Sequence, residues 1–333
     1  MLRSRRKPVA AALAAVLALT LTACAQEVER TSSGLIKVTY ASFAGPSGLP
    51  AKFGKEKGFF EEQGLDVTFV EAQDPVGLVS SGDVQIADSD TTSAVIAAGK
   101  SAPIKIVSSM YRTKGPFYLI GGKNVRDMAD LKGKRIGIGR KGSGMEVYTR
   151  YILRENGISE SEVTLIPTGA YQPAYAALES GQVDATIIHE PFVSLAESTG
   201  VGHLLAKGWD YLPTFHTGVE ITSTRFAEEN PDVVRKFLTA YFRSAIYAKE
   251  HQDEFRDFAS SQIKVPAEVQ ASALRREEPI WENRPEVDPG ALRDTQRIQR
   301  DLGLQDTIYE TSEVVDDTYL PSAQDLAAAG SAR

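Results

Sequence analysis

Residues 130–167, DLKGKRIGIGRKGSGMEVYTRYILRENGISESEVTLIP, hold one complete strand, glycine loop, helix, turn and strand. Lys134 to Ile138 predicts a short strand. The next six residues, GRKGSG (139–144), carry three glycines, which allow positive φ and a close backbone approach to a ligand. A helix is expected from about Met145, with Val147, Tyr151, Ile152 and Leu153 on roughly one side and a stop at Asn156-Gly157. The free N–H groups at its start carry roughly half a positive charge and suit an anion or a carbonyl. The same glycines also suit a plain strand-to-helix turn with no ligand.

Gly137, Gly139 and Gly142 spell the dinucleotide fingerprint, which also needs an acid at the end of the next strand. Here that strand, Val163 to Ile166, ends in Pro167-Thr168, so a nicotinamide cofactor is not expected and no other is.

A chain of 333 residues, 42% hydrophobic and 24% charged, can bury a full core and is expected to form two lobes. Residues 1–24 read as a secretory leader: a basic start, MLRSRRKP, an apolar run from Val9 to Leu21, and Leu21-Thr22-Ala23-Cys24. That run is short for a spanning helix, which needs about 20 apolar residues. Leu-Thr-Ala-Cys resembles the bacterial lipobox, in which the cysteine is lipidated. Cys24 is the single cysteine of the chain, so it is the expected anchor, and a disulfide framework or a cysteine-rich metal site is excluded. An ordinary secreted protein is the alternative. Ser4-Arg5-Arg6 hints at the twin-arginine route, but Pro8 and Val9 do not continue that pattern. The formal charge is −7, and without the leader 33 basic side chains face 44 acidic ones, a body with no field to hold nucleic acid.

In chain order, residues 25–34 read as a polar tether. Ile36 to Tyr40 alternates as a strand, and the loop after it, ASFAGPSG (41–48), lies where open α/β sheets bind ligands, beyond the carboxyl end. Ser42 and Phe43 are placed there to offer a hydroxyl and an aromatic wall. A helix over Pro50 to Lys57, a strand over Leu65 to Val70, a strand over Val84 to Ala87 and a helix ending at Gly99 follow. Asp90 is a candidate cap for that last helix, a pocket residue, or both. After a strand from Ile104 to Val107, the chain leaves the first lobe near Phe117 to Gly121 and returns along Thr214 to Ile221. Between these hinges lie a helix near Tyr171 to Ser180, a strand over Asp184 to Ile188 and Glu190-Pro191 at another helix start. Leu204 and Leu205 end this lobe. His189-Glu190-Pro191-Phe192 is not a zinc protease motif, because Val193 stands where the second histidine belongs, and no metal site is expected. Glu190 either caps the helix or faces the cleft with Phe192. A long helix from Asn230-Pro231 shows Val234, Phe237, Leu238, Tyr241 and Ala245 at core spacing. Helices over about 253–260, 266–281 and 289–301 are expected to pack on the first lobe, and 322–333 reads as a flexible tail.

Four segments carry a resemblance: GFFEEQGLDVTFV (58–70), SSGDVQIADSDTTSAVIAAGKSAPIKIVSS (80–109), DLKGKRIGIGRKGSG (130–144) and AALESGQVDATIIHEPF (176–192). In this order and after a lipobox they resemble the sulfonate/nitrate/taurine-type substrate-binding proteins of ABC importers. That family also takes in binders of thiamine pyrimidine precursors. The resemblance implies a two-lobed α/β fold of the periplasmic-binding-protein type II, two sheets flanked by helices and joined by two crossover strands, with the ligand in the cleft. The lobes are then 35–118 with 215–321, and 119–214. The implied pocket residues are Ser42 and Phe43, Asp90 and Thr91, Ser143 and Gly144, Glu190, and also Phe192 and Thr217. The family's pyrimidine-synthesising enzymes rely on a cysteine-rich motif that this chain lacks, so no catalysis is expected. A monomer on the extracytoplasmic face of the membrane, working with a permease, is the implied setting.

The helix starts at Thr91 and Met145 favour an oxyanion such as a sulfonate, whereas Asp90 and Glu190 favour an amine or an aminopyrimidine. A zwitterion such as taurine satisfies both, and an aminopyrimidine adds stacking on Phe43. An inorganic anion such as nitrate fits less well. A lipid-anchored hydrolase using Glu190 and His189 is the enzymatic alternative, and an adhesive surface protein the structural one.

Overall fold

The computed structural model describes residues 28–43 and 45–327, so the leader, Cys24 and residues 328–333 lie outside the described residues. The chain runs through β1 (Ile36–Ser42), β2 (Leu65–Glu71), β3 (Ile86–Asp90), β4 (Ile104–Ser109), β5 (Tyr118–Gly122), β6 (Arg135–Ile138), β7 (Thr164–Pro167), β8 (Ala185–Ile188), β9 (Gly202–Lys207) and β10 (Gly218–Ser223). One sheet has the order β2-β1-β3-β10-β4 and the other β7-β6-β8-β5-β9. Each sheet contains one strand antiparallel to its neighbours. In the first it is β10, with Gly218 opposite Asp90 and Ser223 opposite Ile104, and in the second it is β5, with Tyr118 opposite Ile188. These are the two strands that follow the crossings between sheets.

The helices are α1 (Leu49–Glu56), α2 (Phe59–Glu62), α3 (Pro75–Ser81), α4 (Thr91–Gly99), α5 (Gly144–Glu155), α6 (Gln172–Glu179), α7 (Phe192–Thr199), α8 (Gly208–Tyr211), α9 (Thr224–Glu229), α10 (Pro231–Glu250), α11 (Gln252–Ile263), α12 (Ala267–Glu277), α13 (Pro289–Asp301), α14 (Thr311–Val314) and α15 (Ala323–Ala327). Every expected core position of α10 is buried, and Phe237 and Tyr241 pack with Tyr40 and Phe60 on one face of the first sheet. In the second sheet β8 is buried throughout, as a central strand covered by helices on both faces should be. α5 stops as its sequence requires: Asn156 is the C-cap and Gly157 takes φ +68°.

The crossings are residues 110–117 and 208–217, the first a few residues earlier than expected, and they are hydrogen-bonded to each other. Thr217 N donates to Thr113 O at 3.0 Å, and Lys114 bridges His216. A third segment joins them, because Arg112 bridges Trp281, and Glu282 N and Asn283 N donate to Tyr111 O at 3.1 and 2.9 Å.

Several expectations need correction. Residues 28–34 are not a loose tether: Lys37 N donates to Glu29 O at 2.8 Å, Arg30 bridges Ile36, and Val28 packs on the core. Leu204 and Leu205 do not end the lobe but sit inside edge strand β9. α3 was not expected, although Asp74-Pro75 is a cap and first-turn signal, and Asp74 does accept from Gly77 N at 3.2 Å. The flexible tail begins with α15, whose Leu326 packs on the first core. The C-terminal helices do not serve the first lobe alone: Ile298, Leu302 and Leu304 pack on the core around α5, and α12 touches α7.

Candidate functional site

The carboxyl ends of β1, β3, β4, β6, β7 and β8 converge on a cavity of about 110 Å³ between the sheets. That is several times the space a single water needs. β1 brings Phe43; β3 brings Ser89 and Asp90; the crossings bring Met110, Arg112, Pro116, Phe117 and Thr217; the second sheet brings Arg140, Ser143, Gly144, Met145, Tyr171 and His189. Most of the surface of this wall is apolar or aromatic, and most of the polar side chains among its lining residues are buried.

The glycine loop shapes one side of the chamber. Only Gly142 of its three glycines takes positive φ, +80°, while a Cβ on Gly139 would lie 2.7 Å from the Met145 sulfur and one on Gly144 would find room. The loop therefore needs glycine for a turn at 142 and for close packing at 139. Ser143 precedes α5 without capping it, and its Oγ is buried with no hydrogen-bond partner among the described residues. A buried hydroxyl left unpaired costs roughly 1–3 kcal/mol, which a ligand's acceptor would recover.

His189 stands between two rings, 4.6 Å from the centroids of both Phe117 and Tyr171. Burial, with Arg112 adding, lowers its imidazole pKa to about 3, so it is neutral, and Nδ1 has no partner among the described residues. Tyr171 itself takes φ +59°, rare for an aromatic residue and found where the surroundings over-determine the backbone. Its ring faces Gly45 of the first lobe, where a Cβ would come within 2.8 Å of it.

The charges are arranged in pairs. Asp90 caps α4 by accepting from Ser93 N at 2.9 Å and also lies 3.5 Å from Arg140 of the other lobe. Burial raises its carboxyl, with the Ser93 bonds and Arg140 opposing. Arg112 is 5% exposed and hydrogen-bonds Glu277 through Nη1. Burial disfavours its charge, and Glu277 with neighbouring tyrosines more than restores it, so the guanidinium stays protonated. Burial pushes Glu277 up to about 7 against the pull of Arg112.

Of the expected site residues, Phe43, Asp90, Ser143, Gly144 and Thr217 line the chamber together. Ser42, Thr91, Glu190 and Phe192 do not. Ser42 is buried beneath Gly48, and Thr91 bonds His216 Nδ1 at 3.0 Å. Glu190 accepts from Ser194 N at 3.0 Å and Arg276 Nη1 at 2.6 Å, which is the helix-cap alternative. Phe192 packs 6.1 Å from Tyr175 in the core behind the sheet. Arg112, Phe117, Arg140 and Tyr171 were not selected from the sequence, and His189 entered only with Glu190 in the enzymatic alternative, although Arg112, Arg140, Tyr171 and His189 all follow strand ends by the rule that selected Phe43. Among the described residues no group of three or more His, Cys, Asp or Glu side chains is arranged to hold a metal ion.

Comparison with known proteins gives this arrangement a context. A putative aliphatic sulfonates-binding protein of Bacillus subtilis is 28% identical over 283 residues, covering 82% of this chain and 84% of that protein. A 4-amino-5-hydroxymethyl-2-methylpyrimidine phosphate synthase of Saccharomyces cerevisiae is 26% identical over 223 residues, 61% of this chain and 63% of that protein. The alkanesulfonate-binding protein SsuA of Xanthomonas axonopodis pv. citri bound to MOPS superimposes with a TM-score of 0.70 at 19% identity, covering 85% of this chain and 98% of that one. The fold is thus that of the two-lobed periplasmic binding proteins. The family model described as NMT1/THI5 like matches residues 48–255, and the chain belongs to that family.

Proposed function

We propose that the protein is an extracytoplasmic solute-binding lipoprotein, anchored through Cys24, that delivers a small organic solute with a sulfonate-like head group to an ABC importer. It acts as a monomer and binds without turnover. The observation that carries this reading is the chamber between the sheets, apolar along most of its wall, with the unpaired Ser143 hydroxyl beside the start of α5. An apolar body fits the wall, and an oxyanion fits the hydroxyl and the helix end. With Glu190 tied to Arg276, Asp90 is left as the one carboxylate on the wall among the described residues, and it already serves Ser93 N and Arg140. The balance between an acceptor-rich and an amine-bearing ligand moves toward the acceptor. The solute touches residues from both lobes, so binding favours the closed form by the contacts that only the closed form makes.

A second reading, a planar heterocycle such as a thiamine pyrimidine precursor, is supported by the ring row of Phe117, His189 and Tyr171. A thermal-shift screen of the purified protein against alkanesulfonates, taurine, nitrate and pyrimidine precursors separates the two. A ligand at about 100 times its Kd adds roughly 2.7 kcal/mol, a shift of a few degrees. A shift with alkanesulfonates and none with pyrimidines is expected; the reverse replaces the first reading by the second.

A further inference from the structure

Arg112 looks at first like half of a buried structural ion pair, yet the pair is incomplete on both sides. Arg112 gives one nitrogen, Nη1, to one oxygen of Glu277, Oε2, and Glu277 Oε1 has no partner among the described residues. A structural Arg–carboxylate pair is frequently bidentate, with two parallel hydrogen bonds. A guanidinium carries five N–H donors, and among the described residues Glu277 is the side chain that accepts from this one. Its Cζ lies 4.7 Å from the Tyr111 ring centroid, and the backbone of Arg112 is bridged to Trp281, so the fork is held still. The residue is 95% buried, and the space it borders is the chamber. The same chamber is lined by the unpaired Ser143 hydroxyl and by Gly144 at the α5 start. Donors from a crossing segment and from the second lobe therefore meet in one apolar cavity. Arg140, the other cation on the wall, has a half-exposed side chain and is engaged by Asp90 and Ser93.

We propose that Arg112 reads the charge of the ligand's head group, offering the unused edge of its guanidinium to a sulfonate-like oxyanion, with Glu277 as a positioning residue that holds the fork in the chamber wall. This rests on the reading of the chamber as a solute site. Because Glu277 already offsets the charge of Arg112, the site suits a monoanion with an apolar body rather than a multiply charged anion.

The test is calorimetric titration of the purified protein with pentane-1-sulfonate and with pentyl methyl sulfone, a neutral isostere. Replacing the pair as a unit, Arg112→Met with Glu277→Leu, leaves no buried charge uncompensated and protects the fold. The expected result is a loss of about 10- to 100-fold for the sulfonate and under about 3-fold for the sulfone, the range of a charged hydrogen bond. Arg112→Lys should recover part of the loss. Glu277→Gln, which removes the competing charge and keeps an acceptor, should tighten the sulfonate and leave the sulfone unchanged. Weakening of both ligands by Glu277→Gln would assign that residue a merely structural role and overturn its part. Equal sulfonate affinity in the wild type and the double variant overturns the assignment of Arg112 while the solute site stands. Wild-type binding of the sulfone alone does the same, and wild-type silence toward both compounds overturns the site and the assignment together.

Discussion

Arg276 reaches Glu190 at 2.6 Å through Nη1 and Glu197 at 2.6 Å through Nη2, so α12, which packs beside α11, is tied to the start and middle of α7 on the other lobe. The two acids differ: Glu190 is 2% exposed, whereas the Glu197 side chain is about one-third exposed. The next residue along, Glu277, holds Arg112 in the chamber wall. One turn of helix thus touches both the interlobe contact and the candidate site.

Arg276→Met should lower stability by about 2–3 kcal/mol, since it leaves Glu190 buried with only its Ser194 bonds. Glu197→Gln, at the wetter end, should cost under about 0.5 kcal/mol. Urea denaturation followed by circular dichroism compares them, and equal effects would mean that Glu190 is not dependent on Arg276.

Gly45→Ala should hinder lobe closure. Its φ of +126° disfavours a side chain, and the added Cβ would meet the Tyr171 ring at 2.8 Å. Small-angle scattering should show a larger radius of gyration, and Tyr171→Ala in the same chain should restore the smaller value in part. No rescue would locate the effect in the backbone of Gly45 alone.

Ser143→Ala should leave stability within about 0.5 kcal/mol, because the hydroxyl it removes has no protein partner, but weaken the ligand by about 5- to 10-fold for the loss of one hydrogen bond. Ser143→Glu should abolish anion binding by like-charge repulsion. Sulfonate affinity that survived the glutamate would move the head group away from α5.

Asp88 gives a pH signature. Burial raises its carboxyl to about 7, against its bond from Phe43 N at 2.9 Å, and the register of β3 and β10 sets Glu220 opposite it. A folded-state pKa above the unfolded one means stability that is present in full below about pH 4 and is lost as pH rises through about 7. The slope contributed is up to about 1.4 kcal/mol per pH unit. Asp88→Asn should flatten the fall between those limits, and parallel urea-midpoint curves for the two proteins would contradict it.

The sequence exposed the strand–loop–helix units well because hydrophobic period and glycine punctuation are local. The α5 start and the Asp90 cap are of this kind. Glu190 misled because a carboxylate at a helix start satisfies the same local pattern whether it faces a cleft or the helix, and its partner Arg276 lies 86 residues away. Arg112 follows the end of β4, but what holds it in the wall could not be read locally, because Glu277 and Trp281 are brought to it from the far end of the chain. β9 escaped notice as an edge strand of mixed burial, lacking the even alternation that marks β1.

The position of β10 between β3 and β4 has a consequence for how the chain acquires its shape. The second sheet is complete once residue 207 has emerged, but the first lacks its fourth-position strand until residue 223 arrives. Until then β4 has no neighbour across which to close its ladder. A polypeptide made from its amino end therefore carries an unfinished first half until more than two-thirds of it exists, and pairings this distant in sequence form slowly.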